Sequence, residues 1–338
     1  MGLFTGLFGG RPASGPRGVV AIWPTSGGPG ASTVASSLAA VFAGRARTIL
    51  VDCDQTRGTL ENLLRPLPGV TLGAAVAARP YDDEPLPDGM LYQTRWDARF
   101  LPGLVGPAAP VSVDPAGLFA LLARLRRECD VLALDLGEEL PSDLEAAARA
   151  VWTPQSPQSP QSLQPLQSLQ SLQSPQSPPA ADAAGPPREA ALPPSVHERP
   201  GGPGHAAALW LADVVVVVAR DTPQGQLDLR GEYPLLHRVL SRAPRPPSVG
   251  VVVNELATGH IDRWAELLRK EGLPFWGHVP RDEIAARRSW SSGAPLAFAD
   301  PHSKAAKALV ALAGAVEVAL GERAGQGAGA EPSGDETA

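Results

Sequence analysis

The residues best placed to do chemistry lie in the run "TSGGPGAST", positions 25–33, and at three acids further along, Asp52, Asp54 and Asp135. Gly27, Gly28 and Gly30 keep the backbone open to close approach, and Ser32 and Thr33 set hydroxyls where a helix would begin. A loop of this kind holds phosphate oxygens with backbone N–H groups and the positive end of a helix dipole, while its Ser/Thr hydroxyl reaches magnesium. It ordinarily also has a lysine to neutralise the β and γ oxygens, and Ala31 stands at that position. The chain's lysines are Lys270, Lys304 and Lys307, so no alternative alignment of the loop restores one. By itself, a glycine turn before a helix serves structure as often as phosphate binding. Acids closing the strands that flank it favour a site.

The elements that must position these residues follow a regular order. "GVVAIW" (18–23) is a buried strand, the glycine loop follows, and "STVASSLAAVFAG" reads as a helix ending at Gly44. "RTILVDCD" (47–54) and "CDVLALDL" (129–136) are two more buried strands, each closing on aspartate. Then come "ADVVVVVARD" (212–221), "SVGVVVNE" (248–255) and "PFWGHVP" (274–280), with helical patterns at 115–129 and 261–272. The apolar runs are continuous rather than alternating, which marks strands covered on both faces. The expected fold is therefore α/β: a doubly wound, mostly parallel sheet with helices on both faces, in a single domain.

That domain is expected to span 17–152 and 205–321. Between its halves, 153–204 is a Pro-Gln-Ser and Leu-Gln-Ser repeat followed by a proline-rich tract. It offers too few large apolar groups to offset the entropy of ordering and reads as a disordered insertion. A flexible N-terminus (1–16) and a small-residue, acidic and disordered tail (322–338) are expected at the ends. Leu3, Phe4, Leu7 and Phe8 would share a face if their segment were helical, but two glycines favour a frayed end. The stretch 303–323 is helical by pattern and is expected to pack on the core, because an acidic tail rather than a basic face follows it.

With 43% hydrophobic residues in 338, the chain has material for a proper core. It contains no apolar run long enough for a membrane span and no secretory leader pattern, so a cytoplasmic protein is expected, with the inner face of the membrane as an alternative location. Cys53 and Cys129 sit in or beside strands without metal-ligand spacing and read as buried thiols. A net charge of −6 disfavours sequence-independent nucleic-acid binding, although Arg281, Arg287 and Arg288 form a local basic patch.

Taken together, "TSGGPGAST", "ILVDCDQTRGTLENLL", "DVLALDL", "ADVVVVVARD", "VGVVVNE" and "PFWGHVPRDEIAARRSWSSGAPL" resemble, in order, the deviant-Walker ATPases typified by MinD and ParA. The resemblance covers nearly the whole chain outside its ends and the insertion. The "Gly-Ala-Ser-Thr" ending of the loop looks most like the TadZ/CpaE branch, which localises Flp pilus and related secretion machinery. This family binds ATP with Mg2+. The resemblance implies that Gly27, Gly28, Gly30, Ala31, Ser32, Thr33 and Asp52 line the nucleotide, with Asn254 against adenine. It further implies that Ser32, Asp52 and Asp135 hold Mg2+, mostly through water, and that Asp54 and Asp135 act in catalysis. Two departures matter. Both family lysines are missing, with Ser26 at the first position and Ala31 at the second, and Glu138 and Glu139 follow the Walker B strand where the family has a Pro-Gly-type switch. Arg57 is a candidate substitute cation.

Three functions are consistent with these residues. The first is a nucleotide-responsive localisation factor for a pilus or secretion complex, forming a homodimer and binding protein partners, with weak or no hydrolysis. The second is a working partitioning-type ATPase, and the third is a pseudo-ATPase scaffold with an empty pocket. Peripheral membrane contact through either end of the chain is a further alternative.

Overall fold

A computed structural model of the chain describes residues 15–25, 28–54, 59–66, 70–78, 86, 89–103, 115–137 and 204–328. Expectations for Ser26, Gly27, Arg57, Glu138, Glu139, the N-terminal apolar residues and the 153–204 insertion, apart from Gly204 at the start of a helix, fall outside these residues.

Eight strands form one sheet in the order β3-β4-β2-β5-β1-β6-β7-β8. They are β1 (Gly18–Pro24), β2 (Thr48–Asp52), β3 (Tyr92–Gln93), β4 (Arg99–Leu101), β5 (Val131–Asp135), β6 (Val214–Arg220), β7 (Ser248–Leu256) and β8 (Phe275–Pro280). All neighbours are parallel except β3 and β4. The six long apolar runs of the sequence are the six long strands. The short pair β3 and β4 carries no periodic signal, since two or three residues cannot show one.

The side-chain period of two sends Val20 and Ile22 of β1 to one face of the sheet and Val19, Ala21 and Trp23 to the other. Each set joins a separate buried cluster. On the first face lie α1 (Ala31–Ala43), α2 (Thr59–Leu64), α8 (Glu283–Ser292), α9 (Leu296–Ala299) and α10 (Lys304–Ala328). On the second lie α3 (Leu72–Ala78), α4 (Pro115–Arg127), α5 (Gly204–Leu211), α6 (Pro223–Leu240) and α7 (Ile261–Lys270). Both faces are therefore covered, as the unbroken apolar strands require.

Several helices depart from the sequence reading: α2, α3, α5, α8 and α9 have no counterpart in it, and α10 and α6 differ as follows. The α10 helix runs to Ala328, beyond the expected end at 323, and buries Ala305, Leu309, Leu312, Val316 and Leu320 against the sheet, so it packs on the core as expected. The α6 helix has no counterpart in that reading. Its residues are largely polar and Pro234 lies inside it, and proline interrupts a helical hydrogen bond. Its start is nonetheless well specified: Thr222 accepts a 2.9 Å hydrogen bond from the Gly225 amide, and Pro223 fills the first turn. Among the described residues, no helix is long and apolar enough to cross a membrane.

Strand β1 lies between β5 and β6, and the chain winds outward from it in both directions. In such open sheets a ligand crevice forms beyond the carboxyl ends of the strands where the winding reverses. The loop after β1 sits at that point.

Candidate functional site

The loop is built around Gly30. This residue caps α1 in the left-handed region, at φ 82° and ψ 29°, where a side chain is strained. Space forbids one as well: a Cβ on Gly30 would lie 2.3 Å from Nδ2 of Asn254. The Gly30 carbonyl accepts 3.1 Å hydrogen bonds from the amides of Thr33 and Val34, which starts the helix. No side chain caps α1, so the amides of Ala31 and Ser32 remain at its positive end as donors for an anion. Gly28 is exposed, with φ 66°. Ala31, at the position of the missing lysine, is 6% exposed and belongs to the core.

Asn254 closes the loop from β7. It is buried, and its Nδ2 donates a 2.6 Å hydrogen bond to the Pro29 carbonyl. The amide thus braces the glycine loop, in addition to the base contact that the resemblance implies for it.

The acids converge from two adjacent strands. Asp52 and Asp135 are register partners at the ends of β2 and β5, 0% and 1% exposed. Oδ1 of Asp52 accepts a 2.9 Å hydrogen bond from the Asp54 amide. Oδ2 of Asp52 and both carboxylate oxygens of Asp135 are buried and accept none. Burial pushes the Asp135 carboxyl up to about 8; the Ser32 hydroxyl close by opposes this, and the charges of Asp54 and Glu61 add to it. Asp52 is likewise raised, first by burial and then by Glu61, Asp135 and Asp54. The mechanism is ordinary: a carboxylate removed from water and facing other carboxylates holds its proton.

Sequence reasoning missed three members of this cluster. Glu61, in the first turn of α2, reaches back to Asp52; burial raises its carboxyl too. Gly103 fits under Asp52, where a Cβ would lie 3.1 Å from its Cγ. Gly137 fits against Asp54, where a Cβ would lie 2.8 Å from Oδ1. The Gly137 amide in turn donates a 3.2 Å hydrogen bond to Nε2 of buried His205. No local pattern marks these residues, because each is defined by a neighbour distant in sequence. The two cysteines behave as expected: both are free and buried, and burial pushes Cys129 up to about 12.

Among the described residues, no three His, Cys, Asp or Glu side chains form a cage for a metal ion. The arrangement suits Mg2+ in its usual form, which keeps several waters and takes only one or two carboxylates along with phosphate oxygens. Asp52 Oδ2 and the Asp135 oxygens, buried without donors, are the atoms such an ion would satisfy. The residues present thus fit a hydrated cation beside a phosphate cradle.

No family model matches the chain, and no curated protein matches its sequence. Solved structures do. A ParA family ATPase from Chlorobium tepidum superposes with a TM-score of 0.62 at 17% identity, covering 89% of this chain and 98% of that one. The septum site-determining protein MinD of Pyrococcus horikoshii, complexed with Mg-ADP, gives 0.60 at 16% identity over 91% and 98%. The cell division ATPase MinD of Pyrococcus furiosus gives 0.60 at 21% identity over 90% and 99%. At these identities the likeness is one of fold: the chain has the fold of the ParA- and MinD-type ATPases.

Proposed function

We propose that the chain is a ParA/MinD-type positioning protein that binds Mg·ATP and hydrolyses it slowly or not at all. The observation that carries this reading is the pairing of two features across one crevice. An uncapped helix start behind Gly30 offers backbone donors to phosphate, and the donor-free oxygens of Asp52 and Asp135 offer a seat to hydrated magnesium. A related fold that does hold Mg-ADP, the MinD of Pyrococcus horikoshii, supports the ligand class.

The residues divide the work. Amides at the start of α1 hold phosphate oxygens, and the Ser32 hydroxyl, which lies near Asp135, supplies an oxygen toward magnesium. With magnesium bound, Asp52 and Asp135 would orient the ion's waters and Asp54 would orient an attacking water, while Asn254 keeps the loop in register. Bound magnesium would supply positive charge to the β and γ oxygens. Turnover needs more, because negative charge builds at the β–γ bridge and this chain has no lysine before Lys270 to meet it. Loss of a single preorganised donor costs about 3–4 kcal/mol, or roughly 10²–10³ in rate. Binding survives such a loss better than catalysis does.

The finer reading is a localisation factor of the TadZ/CpaE kind, acting inside the cell for a pilus or secretion complex. It would form a homodimer whose assembly depends weakly on ATP, because Ser26 is too short to reach across a nucleotide the way the family's first lysine does. The test is calorimetric titration of the full chain with Mg·ATP alongside a phosphate-release assay. Expected are micromolar binding and turnover far below that of lysine-bearing relatives. Brisk hydrolysis would favour the partitioning-type ATPase, and failure to bind any nucleotide would favour the empty scaffold.

A further inference from the structure

A phosphate loop has no use for Glu61, yet the fold brings this side chain into the site. It stands in the first turn of α2 and reaches back over the end of β2 to Asp52. Both of its carboxylate oxygens are buried. The amides of Glu61 and Gly103 and the Asp52 carboxyl lie close by, but neither oxygen meets any of them in hydrogen-bond geometry. Oδ2 of Asp52 is in the same condition, its other oxygen being taken by the Asp54 amide at 2.9 Å. A Cβ on Gly103 would stand 3.1 Å from Cγ of Asp52 and 3.2 Å from Oε1 of Glu61. The two carboxyl groups therefore flank one small space, which the glycine keeps open.

Carboxyl groups held together out of water lose hydration and repel one another. Among the described residues, no arginine or lysine forms an ion pair with Asp52, Glu61 or Asp135. Asp135 is the register partner of Asp52 and is 1% exposed, with neither oxygen accepting a hydrogen bond. Both aspartates feel the charge of Glu61. Buried polar atoms are seldom left without a partner in a native protein, and a bound ion is one of the few things that accounts for a group of them.

Strand order sets this space apart from the phosphate loop. The loop follows β1, whereas Asp52 ends β2 and Gly103 follows β4, the outer neighbour of β2. Strand β5 stands between β1 and β2, so at about 4.8 Å per strand the two lie roughly 10 Å apart. Magnesium binds oxygen at about 2.0–2.1 Å. An ion seated on Asp52 and Glu61 thus needs no phosphate oxygen, and water completes its shell. Carboxylate and water oxygens alone are the donor set of a hard divalent cation.

We propose that Asp52 and Glu61 together hold a divalent cation of the Mg2+ class, with Asp135 reaching it through water, and that this seat fills without any nucleotide. Glu61 is then a metal ligand of this chain beyond the residues given to the nucleotide's magnesium. The ion brings positive charge to a pocket whose loop has no lysine. The inference rests on Asp52 and Asp135 facing a cation, as in the function proposed above, and does not require ATP to bind.

Titrating the metal-free full chain with Mn2+, in the absence of nucleotide, tests this through the loss of the free ion's electron paramagnetic resonance signal. Mn2+ is expected to bind, Mg2+ to displace it, and the melting temperature to rise with Mn2+, as it does for any ligand of the folded state. Glu61→Gln keeps the shape of the side chain and removes its charge. It should weaken Mn2+ about tenfold or more, since even an outer partner of a metal ligand is worth about 10–100-fold in affinity. Glu61→Asp keeps the charge and shortens the reach, so it keeps the test decisive if the glutamine variant fails to fold: it must weaken Mn2+ as well. The proposal is overturned if the nucleotide-free wild type takes up no Mn2+, if folded Glu61 variants bind it unchanged, or if Ser32→Ala weakens it more than Glu61→Gln does. Uptake of Mn2+ only once ATP is added would overturn this seat and leave the proposed function standing. Nucleotide-free uptake that depends on Glu61, in a chain that binds no ATP, would uphold the seat and overturn that function.

Discussion

Nδ2 of Asn254 donates a 2.6 Å hydrogen bond to the carbonyl of Pro29, a residue 225 positions earlier in the chain. The end of β7 thereby holds the glycine loop that follows β1, and the same nitrogen occupies the space where a Cβ on Gly30 would stand.

Asn254→Ala should therefore loosen the loop without disturbing the sheet. A buried hydrogen bond of this kind contributes about 0.5–1.5 kcal/mol, and Mg·ATP affinity is expected to fall several-fold. Gly30→Ala should cost more, since it adds a clash to roughly 1–2 kcal/mol of left-handed strain. In the double variant the clash is relieved and only the strain remains. A double-mutant cycle on urea midpoints should show coupling between the two sites, and strict additivity would contradict the contact.

Asp135→Asn should stabilise the ligand-free protein at neutral pH. The wild-type carboxyl is buried with neither oxygen accepting a hydrogen bond and is raised to about 8, so folding there requires an unpaired charge to be buried or a proton to be taken up. An amide avoids that cost, worth about 1–3 kcal/mol, or on the order of 2–4 °C in melting temperature per kcal/mol. Adding Mg·ATP should then raise the melting temperature of the wild type and leave that of the variant unchanged. A variant less stable than the wild type would mean that the carboxylate is already satisfied.

Ala31→Lys restores the missing loop cation. Ala31 is 6% exposed at the start of α1, so the lysine stem must run out along the loop toward the phosphates. Mg·ATP affinity is expected to rise about tenfold or more, consistent with one charge-assisted contact, and phosphate release should increase. Unchanged affinity in a folded variant would show that the loop does not hold the β and γ phosphates.

Excising 153–203 and joining the ends with a short linker should leave the melting temperature within a few degrees. The described chain stops at Gly137 and resumes at 204, and the Gly137 amide is bonded to His205 at 3.2 Å, so the two sides of the gap already meet. Loop-closure cost varies only slowly with length. A large loss of stability would mean that the repeat packs on the domain.

Asp221 should govern part of the acid limb of stability. Burial acts to raise its carboxyl, but hydrogen bonds from the Ala257 amide at 2.9 Å, Trp264 Nε1 at 2.7 Å and the His260 ring at 2.8 Å outweigh this and hold it below the ordinary value. A carboxyl lowered in the folded state contributes stability above its unfolded pKa of 3.8, and that stability is lost as pH falls through the folded value. Asp221→Ala is expected to cost about 2–3 kcal/mol at pH 7 and to flatten the stability curve as pH falls below 3.8. An unchanged acid limb would contradict the assignment.

The sequence by itself determined the architecture. Five long apolar runs, those of β1, β2, β5, β6 and β7, could be satisfied only by strands covered on both sides, and the glycine loop between the first run and its helix located the crevice. It also determined that the loop carries no lysine of its own, because the first lysine of the chain is Lys270. Local pattern could not reveal which distant residues complete the site. Glu61 and Gly103 matter because Asp52 lies against them, and His205 because Gly137 does; Asn254 was expected in the site from the resemblance, but its bond to Pro29 was not. Patterning records whether a residue faces water or core. Which charge it meets there is a property of strand order, and strand order is fixed by packing across the whole sheet.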